Sequence, residues 1–155
     1  MSSNEDTFHL GVKALICNKE NELLLVERER RSKFSTQSYW DLPGGRIQKG
    51  ETQLQALRRE LEEEVGLQTI DEVYPLGMYP TNVRIPQPNG DVGLILALYA
   101  VTISSDFIPQ LGEDHTSYGW FLAADASSHL EDQYPPELLT QLRGQLLGRA
   151  LNFTK

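Results

Sequence analysis

Cysteine is almost missing from this sequence of 155 residues, which contains only Cys17. One cysteine can form neither an internal disulfide nor a thiolate metal cluster, so we expect a protein of the reducing cytoplasm. Residues 1–10 have neither a basic start nor an apolar core, so no export signal is predicted. The apolar runs are too short to cross a bilayer, which argues against a membrane protein.

Positive charge is also scarce, since 14 lysines and arginines stand against 22 acidic residues and the net charge is −8. A broad basic face that neutralises the phosphates of duplex nucleic acid is therefore not expected. The remaining composition, with 39% hydrophobic and 23% charged residues, is that of an ordinary globular protein and excludes a disordered chain. The length suits a single domain.

The apolar pattern predicts strands, a helix, further strands and a second helix. Strands are predicted over residues 8–17, 22–30, 73–79, 92–103 and 118–121. Residues 31–38 form a polar connection, and the proline-rich segment 80–91 is predicted to be a loop or an irregular hairpin tip. This order predicts an α/β protein with helices packed on a mixed central sheet.

Both predicted helices have an apolar face. In the first, Thr52 and Gln55 have the spacing of a capping box, and Gly66 marks the end. Its apolar residues recur at intervals of three and four: Leu54, Leu57, Leu61 and Val65. The second helix begins after two prolines, and its predicted buried residues are Leu138, Leu139, Leu142 and Leu146.

Four glutamates lie in the last turns of the first predicted helix. At about 100° per residue, Glu60, Glu63 and Glu64 form a strip bordering the apolar face, whereas Glu62 faces water. Negative charges here oppose the helix macrodipole by about 0.3–1 kcal/mol each, and they repel one another. A solvated acidic helix end is one interpretation. The better one is a set of oxygen ligands for a hard divalent cation, Mg²⁺ above all, which offsets the repulsion.

A glycine-rich loop precedes this helix. Gly45 and Gly50 bracket Arg46 and Lys49, and glycine lets a backbone approach a ligand closely. The two side chains carry the charge opposite to that of phosphate. Loop and helix together are predicted to hold a metal ion and a phosphorylated ligand.

The segment 45–67 resembles a complete Nudix box. All nine constrained positions match: Gly45, Glu51, Arg59, Glu60, Leu61, Glu63, Glu64, Gly66 and Leu67. The resemblance implies an α/β/α sandwich with a mixed central sheet, formed by one domain over residues 1–155. It also implies a hydrolase that cleaves a nucleoside diphosphate linked to another moiety, with Mg²⁺ or Mn²⁺ as cofactor and with water attacking phosphorus.

The same resemblance implies roles for individual residues. Glu60, Glu63 and Glu64 would be metal ligands by their position in the box. Glu51 and Arg59 would pair and brace the loop against the helix from outside the ligand shell.

The sequence leaves the identity of the general base open. Glu60 is one candidate, because it is also in the box. A carboxylate from a later loop serves in other family members, and here residues 111–115 precede the last predicted strand. Glu113 is the first choice in that loop, and Asp114 and His115 compete with it. Each of these three also has the alternative of being a plain surface residue.

Residues outside the box are weaker candidates for the substrate site. Arg28 and Arg46 are predicted to bind phosphate, with simple solvation as the alternative for Arg28. Tyr39 and Trp40 are candidates for stacking on a nucleobase, with core packing as the alternative. Cys17 is predicted to be a packing residue in the first strand.

The expected substrate is a small nucleotide, either a nucleoside triphosphate or a compact nucleotide sugar, and the expected assembly is a monomer or a homodimer. Isopentenyl diphosphate isomerase has a related fold but uses a catalytic cysteine, and the position of Cys17 argues against that activity. A non-catalytic Nudix-like nucleotide-binding module is the alternative function. Such modules typically lose a box carboxylate, and none is lost here.

Overall fold

A mixed sheet lies between two layers of helix, as the sequence predicts. The computed structural model describes residues 4–103 and 106–153. In chain order its elements are β1 (Phe8–Cys17), β2 (Leu23–Arg31), β3 (Thr36–Asp41), β4 (Gly44–Arg46), α1 (Gln53–Val65), β5 (Glu72–Gln87), β6 (Gly90–Thr102), β7 (Ser117–Phe121), α2 (Ala123–Leu130) and α3 (Pro136–Phe153).

The sheet is built around the neighbouring strands β1 and β6. These two run parallel, from Phe8 opposite Gly93 to Cys17 opposite Thr102. The main strand order is β3-β2-β1-β6-β5, while β4 pairs with β1 and β7 pairs with β2. The other pairings are antiparallel, which makes the sheet mixed.

Each face of the sheet has its own apolar layer. Because side chains alternate along a strand, β1 directs Val12 and Ala14 towards α1 but Leu15 towards α2 and α3. The α2 and α3 layer includes the predicted residues Leu138, Leu139 and Leu142, all buried, whereas the side chain of Leu146 lies outside the described part of the chain. Within the described residues, no helix is both long and apolar enough to cross a membrane.

Helix α1 has the predicted ends. The hydroxyl of Thr52 accepts a hydrogen bond from the Gln55 N–H, the Gln55 side chain accepts one from the Thr52 N–H, and Gly66 closes the helix with φ 73°. One position of the predicted apolar face is wrong. Leu54 is 47% exposed although it shares a face with Leu61 and Val65, because it lies in the first turn of the helix, and Ala56 is buried instead.

Several boundaries differ from the prediction. Residues 80–87 continue strand β5, so the segment 80–91 is mostly paired hairpin with its tip at residues 88–89. Its prolines are tolerated because β5 is an edge strand with irregular register at Pro75 and Pro80. Strand β3 begins inside the polar segment 31–38, and its first residues are exposed and paired on one side only.

Strand β4 and helix α2 have no counterpart in the predicted order. Strand β4 has only three residues, two of them glycine, so it shows no apolar period. Helix α2 has eight residues, and Leu122 at its N-cap makes no side-chain capping bond. The usual sequence signals are therefore absent at both places.

Candidate functional site

Glycines of the predicted box bring its loop into direct contact with α1. Gly44 has φ 142°, and a Cβ atom there would lie 2.0 Å from the carbonyl oxygen of Val12. A Cβ atom on Gly45 would lie 2.4 Å from Oε1 of Glu60. Only glycine allows this close approach, so β4 lies flat against β1 while its backbone borders the Glu60 carboxylate.

The Glu64 carboxylate is bound at the same junction. Its Oε2 accepts a hydrogen bond from the Gly44 N–H at 2.8 Å, and its Oε1 accepts one from Nη2 of Arg28 at 2.7 Å. The side chain is only 12% exposed. Burial raises the pKa of the Glu64 carboxyl, although the charges of Lys13 and Arg28 favour the ionised form. Glu64 is therefore an acidic group in a position that disfavours its charge.

Arg59 holds the rest of the acidic strip. Its Nε donates to Oε1 of Glu51 at 2.5 Å and its Nη2 to the carbonyl oxygen of Arg46 at 3.2 Å, so it joins the loop to the helix. Its Nη1 donates to Glu60 at 2.9 Å and to Glu63 at 3.3 Å. The hydrogen bond that Arg59 donates to Glu51 is the main reason why the pKa of Arg59 is raised. The strip that repels itself in the isolated helix is thus neutralised by arginines in the fold.

Glu60, Glu63 and Glu64 do not converge on one point in this arrangement. No three Asp, Glu, His or Cys side chains in the described ranges, 4–103 and 106–153, lie close enough together to hold a metal ion. Glu60 and Glu64 are mostly buried, but Glu63 is 60% exposed. Even so, their oxygens are the donors that a hard cation prefers, and the charge of Glu60 further raises the pKa of Glu64. The residues therefore fit a divalent cation in the chemistry of their donor atoms.

A cluster of buried charges lies behind Arg28, on the α2 and α3 side of the sheet. Asp41 accepts a hydrogen bond from Nζ of Lys13 at 3.1 Å and another from the hydroxyl of Tyr134, and its Oδ2 lies 3.2 Å from Nε of Arg28. Burial raises the pKa of Asp41, but Lys13 and the Tyr134 hydrogen bond outweigh it and hold that pKa below its usual range. Asp41 is thus an ionised hub that joins β1, β2, β3 and the connection before α3.

The sequence prediction did not include this cluster. Two signals were present: Lys13 is the one charged residue of an apolar strand, and Asp41 lies between Trp40 and Leu42. A charge inside a buried segment requires a partner, but the sequence does not reveal which one.

The loop with the predicted bases packs against the end of α1. The Gln110 N–H donates to the carbonyl oxygen of Val65 at 2.8 Å, and the Gly112 N–H donates to that of Glu64 at 3.0 Å. Glu113, which follows at once, is exposed at this edge of the site. Asp114 is exposed as well.

His115 is buried where a surface residue was one alternative. Its Nε2 lies 3.7 Å from Oε1 of Glu64, and its side chain is 1% exposed. Neither ring nitrogen has a hydrogen-bond partner. Burial, with the nearby charges of Arg28 and Lys13, lowers the pKa of His115 to about 4. The imidazole is therefore neutral at pH 7 and contacts the best-buried carboxylate of the strip.

The predicted substrate residues lie in different surroundings. Arg46 is exposed and, with Phe8 and Glu60, lines an open cavity of about 650 Å³. Trp40 packs edge-on against Phe121, with ring centroids 5.0 Å apart, and belongs to the apolar layer under α2. Tyr39 lies under the guanidinium of Arg30 at 4.7 Å. Arg28 contacts Glu64, as described above, and Cys17 packs against the apolar layer of α2 and α3.

The fold and the box can be compared with known proteins. The family model of the NUDIX domain matches residues 7–142. This chain belongs to the Nudix family. The match covers all of the strands and the helices α1 and α2, and it ends inside α3.

Individual Nudix relatives match over shorter stretches. An 8-oxo-dGTP diphosphatase of Proteus vulgaris is 40% identical over 53 residues, which are 34% of this chain and 46% of the relative. An RNA pyrophosphohydrolase of Coxiella burnetii is 40% identical over 67 residues, which are 43% of this chain and 27% of the relative. The chain thus spans less than half the length of these relatives.

Solved structures agree with the Nudix fold over nearly the whole chain. The MutT protein of Methanosarcina mazei superposes with a TM-score of 0.67 at 22% identity and covers 95% of this chain and 98% of its own. The dihydroneopterin triphosphate pyrophosphohydrolase of E. coli gives 0.69 at 15% identity, with 92% and 99% covered. At such identities the likeness establishes the α/β/α fold and no more.

Proposed function

We propose that this Nudix protein is a metal-dependent hydrolase that cleaves the diphosphate linkage of a small nucleotide by attack of water on phosphorus. The observation that carries the proposal is the pair of mostly buried carboxylates, Glu60 and Glu64, held against the glycine backbone of the box loop. Arg59 and Arg28 offset part of the cost of two acidic groups in one poorly solvated corner, and a bound cation would offset the rest.

Glu60, Glu63 and Glu64 would hold Mg²⁺ or Mn²⁺. When bound, the cation would neutralise charge on the diphosphate and lower the pKa of a water molecule. Arg59 would keep Glu60 and Glu63 in place through its own bond to Glu51, which keeps the loop at a fixed distance from α1.

The remaining residues position the substrate and accept a proton. Arg28 and Arg46 would bind phosphate oxygens, since Arg28 contacts Glu64 and Arg46 lines the open cavity together with Glu60. Tyr39 and Trp40 are the candidates for stacking on the nucleobase, and Tyr39 is favoured because Trp40 already packs against Phe121. Glu113 would be the general base, because its loop is tied by backbone hydrogen bonds to the end of α1. Glu60, Asp114 and His115 are the other candidates for that proton transfer.

The names of the relatives support a nucleotide as the substrate. The names of the two relatives above, an 8-oxo-dGTP diphosphatase and an RNA pyrophosphohydrolase, refer to a nucleotide and to RNA. A nucleoside triphosphate or a compact nucleotide sugar is the substrate that we propose. The protein would act as a single domain in the cytoplasm, as a monomer or a homodimer.

A non-catalytic nucleotide-binding module is the second candidate. It is less well supported, because Glu60, Glu63 and Glu64 are all retained, and a module that only binds nucleotide has no need of the full set.

A nucleotide panel tests the proposal. Wild-type protein is incubated with nucleoside triphosphates, with 8-oxo-dGTP, with 5′-triphosphorylated RNA and with nucleotide sugars, in MgCl₂, MnCl₂ or EDTA. Release of phosphate, pyrophosphate and nucleoside monophosphate is measured. We expect turnover of at least one compound with either metal and none in EDTA.

Two variants of α1 serve as a matched pair in the same assay. Glu64→Gln should lower turnover by about 100-fold or more, because an amide is a poor ligand for a hard cation. Glu62→Gln removes the same charge from the exposed side of the helix and should stay within about twofold of wild type. Equal losses in the two variants would show that Glu64 is not a metal ligand. Binding of nucleotide by wild type without any turnover would favour the non-catalytic module.

A further inference from the structure

Arg28 binds the carboxylate of Glu64, which the proposed metal ion would also bind. Its Nη2 donates to Oε1 of Glu64 at 2.7 Å, and the other oxygen of Glu64 accepts the Gly44 N–H. Both oxygens of Glu64 therefore accept hydrogen bonds from protein donors. A cation bound to Glu64 would place a second positive charge beside the guanidinium, at a carboxylate that is 12% exposed. Repulsion at so short a distance in a poorly solvated site is strong.

The guanidinium is held in a way that allows it to turn. On its far side, Nε lies 3.2 Å from Oδ2 of Asp41, but the two atoms do not have the geometry of a hydrogen bond. The contact of Nη2 with the carbonyl oxygen of Gly44 is long, at 3.4 Å. The side chain is 24% exposed. Asp41 thus attracts Arg28 by charge without fixing the direction of its N–H groups.

Lys13 cannot take over this role of Arg28. Its Nζ is 3.1 Å from Oδ2 of Asp41 and 3.0 Å from the carbonyl oxygen of Leu42, and its side chain is 10% exposed. Arg28 is therefore the cation of this corner that has both a contact with Glu64 and an open edge.

From this geometry we infer that Arg28 couples metal binding to substrate binding. Its guanidinium neutralises Glu64 when the site lacks a cation. When a divalent cation takes its place, the guanidinium turns, still attracted by Asp41, and its N–H groups bind the diphosphate of the substrate. The inference rests on the proposed function, since it requires Glu64 to be a metal ligand.

The coupling predicts opposite shifts of two affinities in one variant. Arg28→Ala removes the competitor for Glu64, so the Kd for Mg²⁺ alone, measured by calorimetry on the full chain at pH 8, should fall about tenfold. The same variant loses a diphosphate contact, so KM for the best nucleotide of the panel should rise about tenfold at saturating Mg²⁺. Arg28→Lys keeps the charge and should reverse part of both shifts.

Arg31→Ala is the matched control. Arg31 lies on the same strand, pairs with Glu29 and has an 80% exposed side chain, so its removal changes the net charge equally. Both its Mg²⁺ Kd and its KM should stay within about twofold of wild type. A circular dichroism melt of each variant shows whether it is folded at the temperature of the titration.

Three results would overturn the coupling. A raised KM with unchanged Mg²⁺ affinity would make Arg28 a phosphate contact only. Tighter Mg²⁺ binding with unchanged KM would make it a counter-ion only, and weakening of both would make it structural. In each of these cases wild-type turnover with Mg²⁺ would still support the proposed function. Failure of wild type to bind Mg²⁺ or to hydrolyse any nucleotide would instead remove the proposed function, and the coupling with it.

Discussion

Two arginines each hold part of the acidic strip, and they differ in where they come from. Arg59 binds Glu51, Glu60 and Glu63, which are eight, one and four residues away along the chain. Arg28 binds Glu64 across 36 residues and is supported by Asp41. We call these groups the Arg59 cluster and the Arg28 cluster. The first is a local device of one loop and one helix, whereas the second needs three strands in register.

Burial separates the two clusters as well. In the Arg59 cluster Glu63 is 60% exposed, while the side chains of Arg59, Glu51 and Glu60 are 22%, 17% and 13% exposed. The Arg28 cluster includes Lys13 and Asp41, with side chains 10% and 12% exposed, and the buried Tyr134. Charges near water are easily replaced by solvent, but buried charges depend on their partners. The Arg59 cluster is therefore suited to shaping the loop. The stability of the fold should depend more strongly on the charged residues of the Arg28 cluster.

The largest expected effect concerns stability. Asp41→Asn leaves Lys13 and Arg28 buried without their shared counter-charge, so the free energy of unfolding at pH 7 should fall by about 3–5 kcal/mol. Glu51→Gln removes the corresponding partner of Arg59 and should cost less, because Arg59 keeps its hydrogen bonds to Glu60 and Glu63. Urea denaturation of the two variants measures this. Equal losses would show that the two clusters do not differ in the way described.

The same denaturation experiment, repeated at acidic pH, should show how Asp41 changes the free energy of unfolding with pH. The pKa of Asp41 is lower in the folded chain than the ordinary value of 3.8. The unfolded chain therefore takes up a proton first as the pH falls, so the stability from Asp41 is complete above pH 3.8 and is lost as the pH falls through the folded pKa. Asp41→Asn should flatten the dependence of unfolding free energy on pH in that range.

A large effect on rate is expected in the loop that lies beside Glu64. If Glu113 is the base, Glu113→Gln should lower kcat by about 100-fold or more and leave the Mg²⁺ Kd unchanged, because the base is not a ligand. Asp114→Asn, the exposed neighbour, is the control and should be close to wild type. A normal rate in Glu113→Gln, together with a loss in His115→Gln, would move the role to the buried histidine.

A smaller effect on stability is expected from bound Mg²⁺, which should contact glutamates of both clusters. At Mg²⁺ about 100 times its Kd, the wild type should gain roughly 2.7 kcal/mol, or about 5–10 °C in Tm. Replacing one glutamate of each cluster, Glu63→Gln with Glu64→Gln, should abolish that gain. Melting curves in EDTA and in MgCl₂ measure it. An equal Mg²⁺ shift in the double variant would place the metal elsewhere.

The smallest expected effect is the dependence of the two stability costs on salt, because salt screens exposed ion pairs more than buried ones. In about 0.5 M KCl, the stability cost of Glu51→Gln should shrink, because mobile ions screen an ion pair near the surface. The cost of Asp41→Asn should stay the same, because ions do not reach the buried pair. Unfolding free energies of both variants at low and high salt give the comparison. A similar salt dependence for the two would mean that Asp41 is better solvated than its 12% exposure indicates.

The sequence by itself determined the features that depend on near neighbours. The capping box, the Gly66 end and the exposed side of Glu62 depend on residues within one or two turns, and each is present in the structure. The spacing of the box also indicated the family, which the match over residues 7–142 confirms. The mixed sheet with its helices followed from the alternation of apolar segments.

Only the tertiary structure decided which distant charges meet. The pairing of β1, β2 and β3 brings Lys13, Arg28 and Asp41 to one place, and the end of α1 adds Glu64. Short elements such as β4 and α2 were missed for a related reason, since they are stabilised by packing and pairing more than by their own sequence. A lone charge in an apolar segment shows that a partner exists, and only the strand register shows which partner it is.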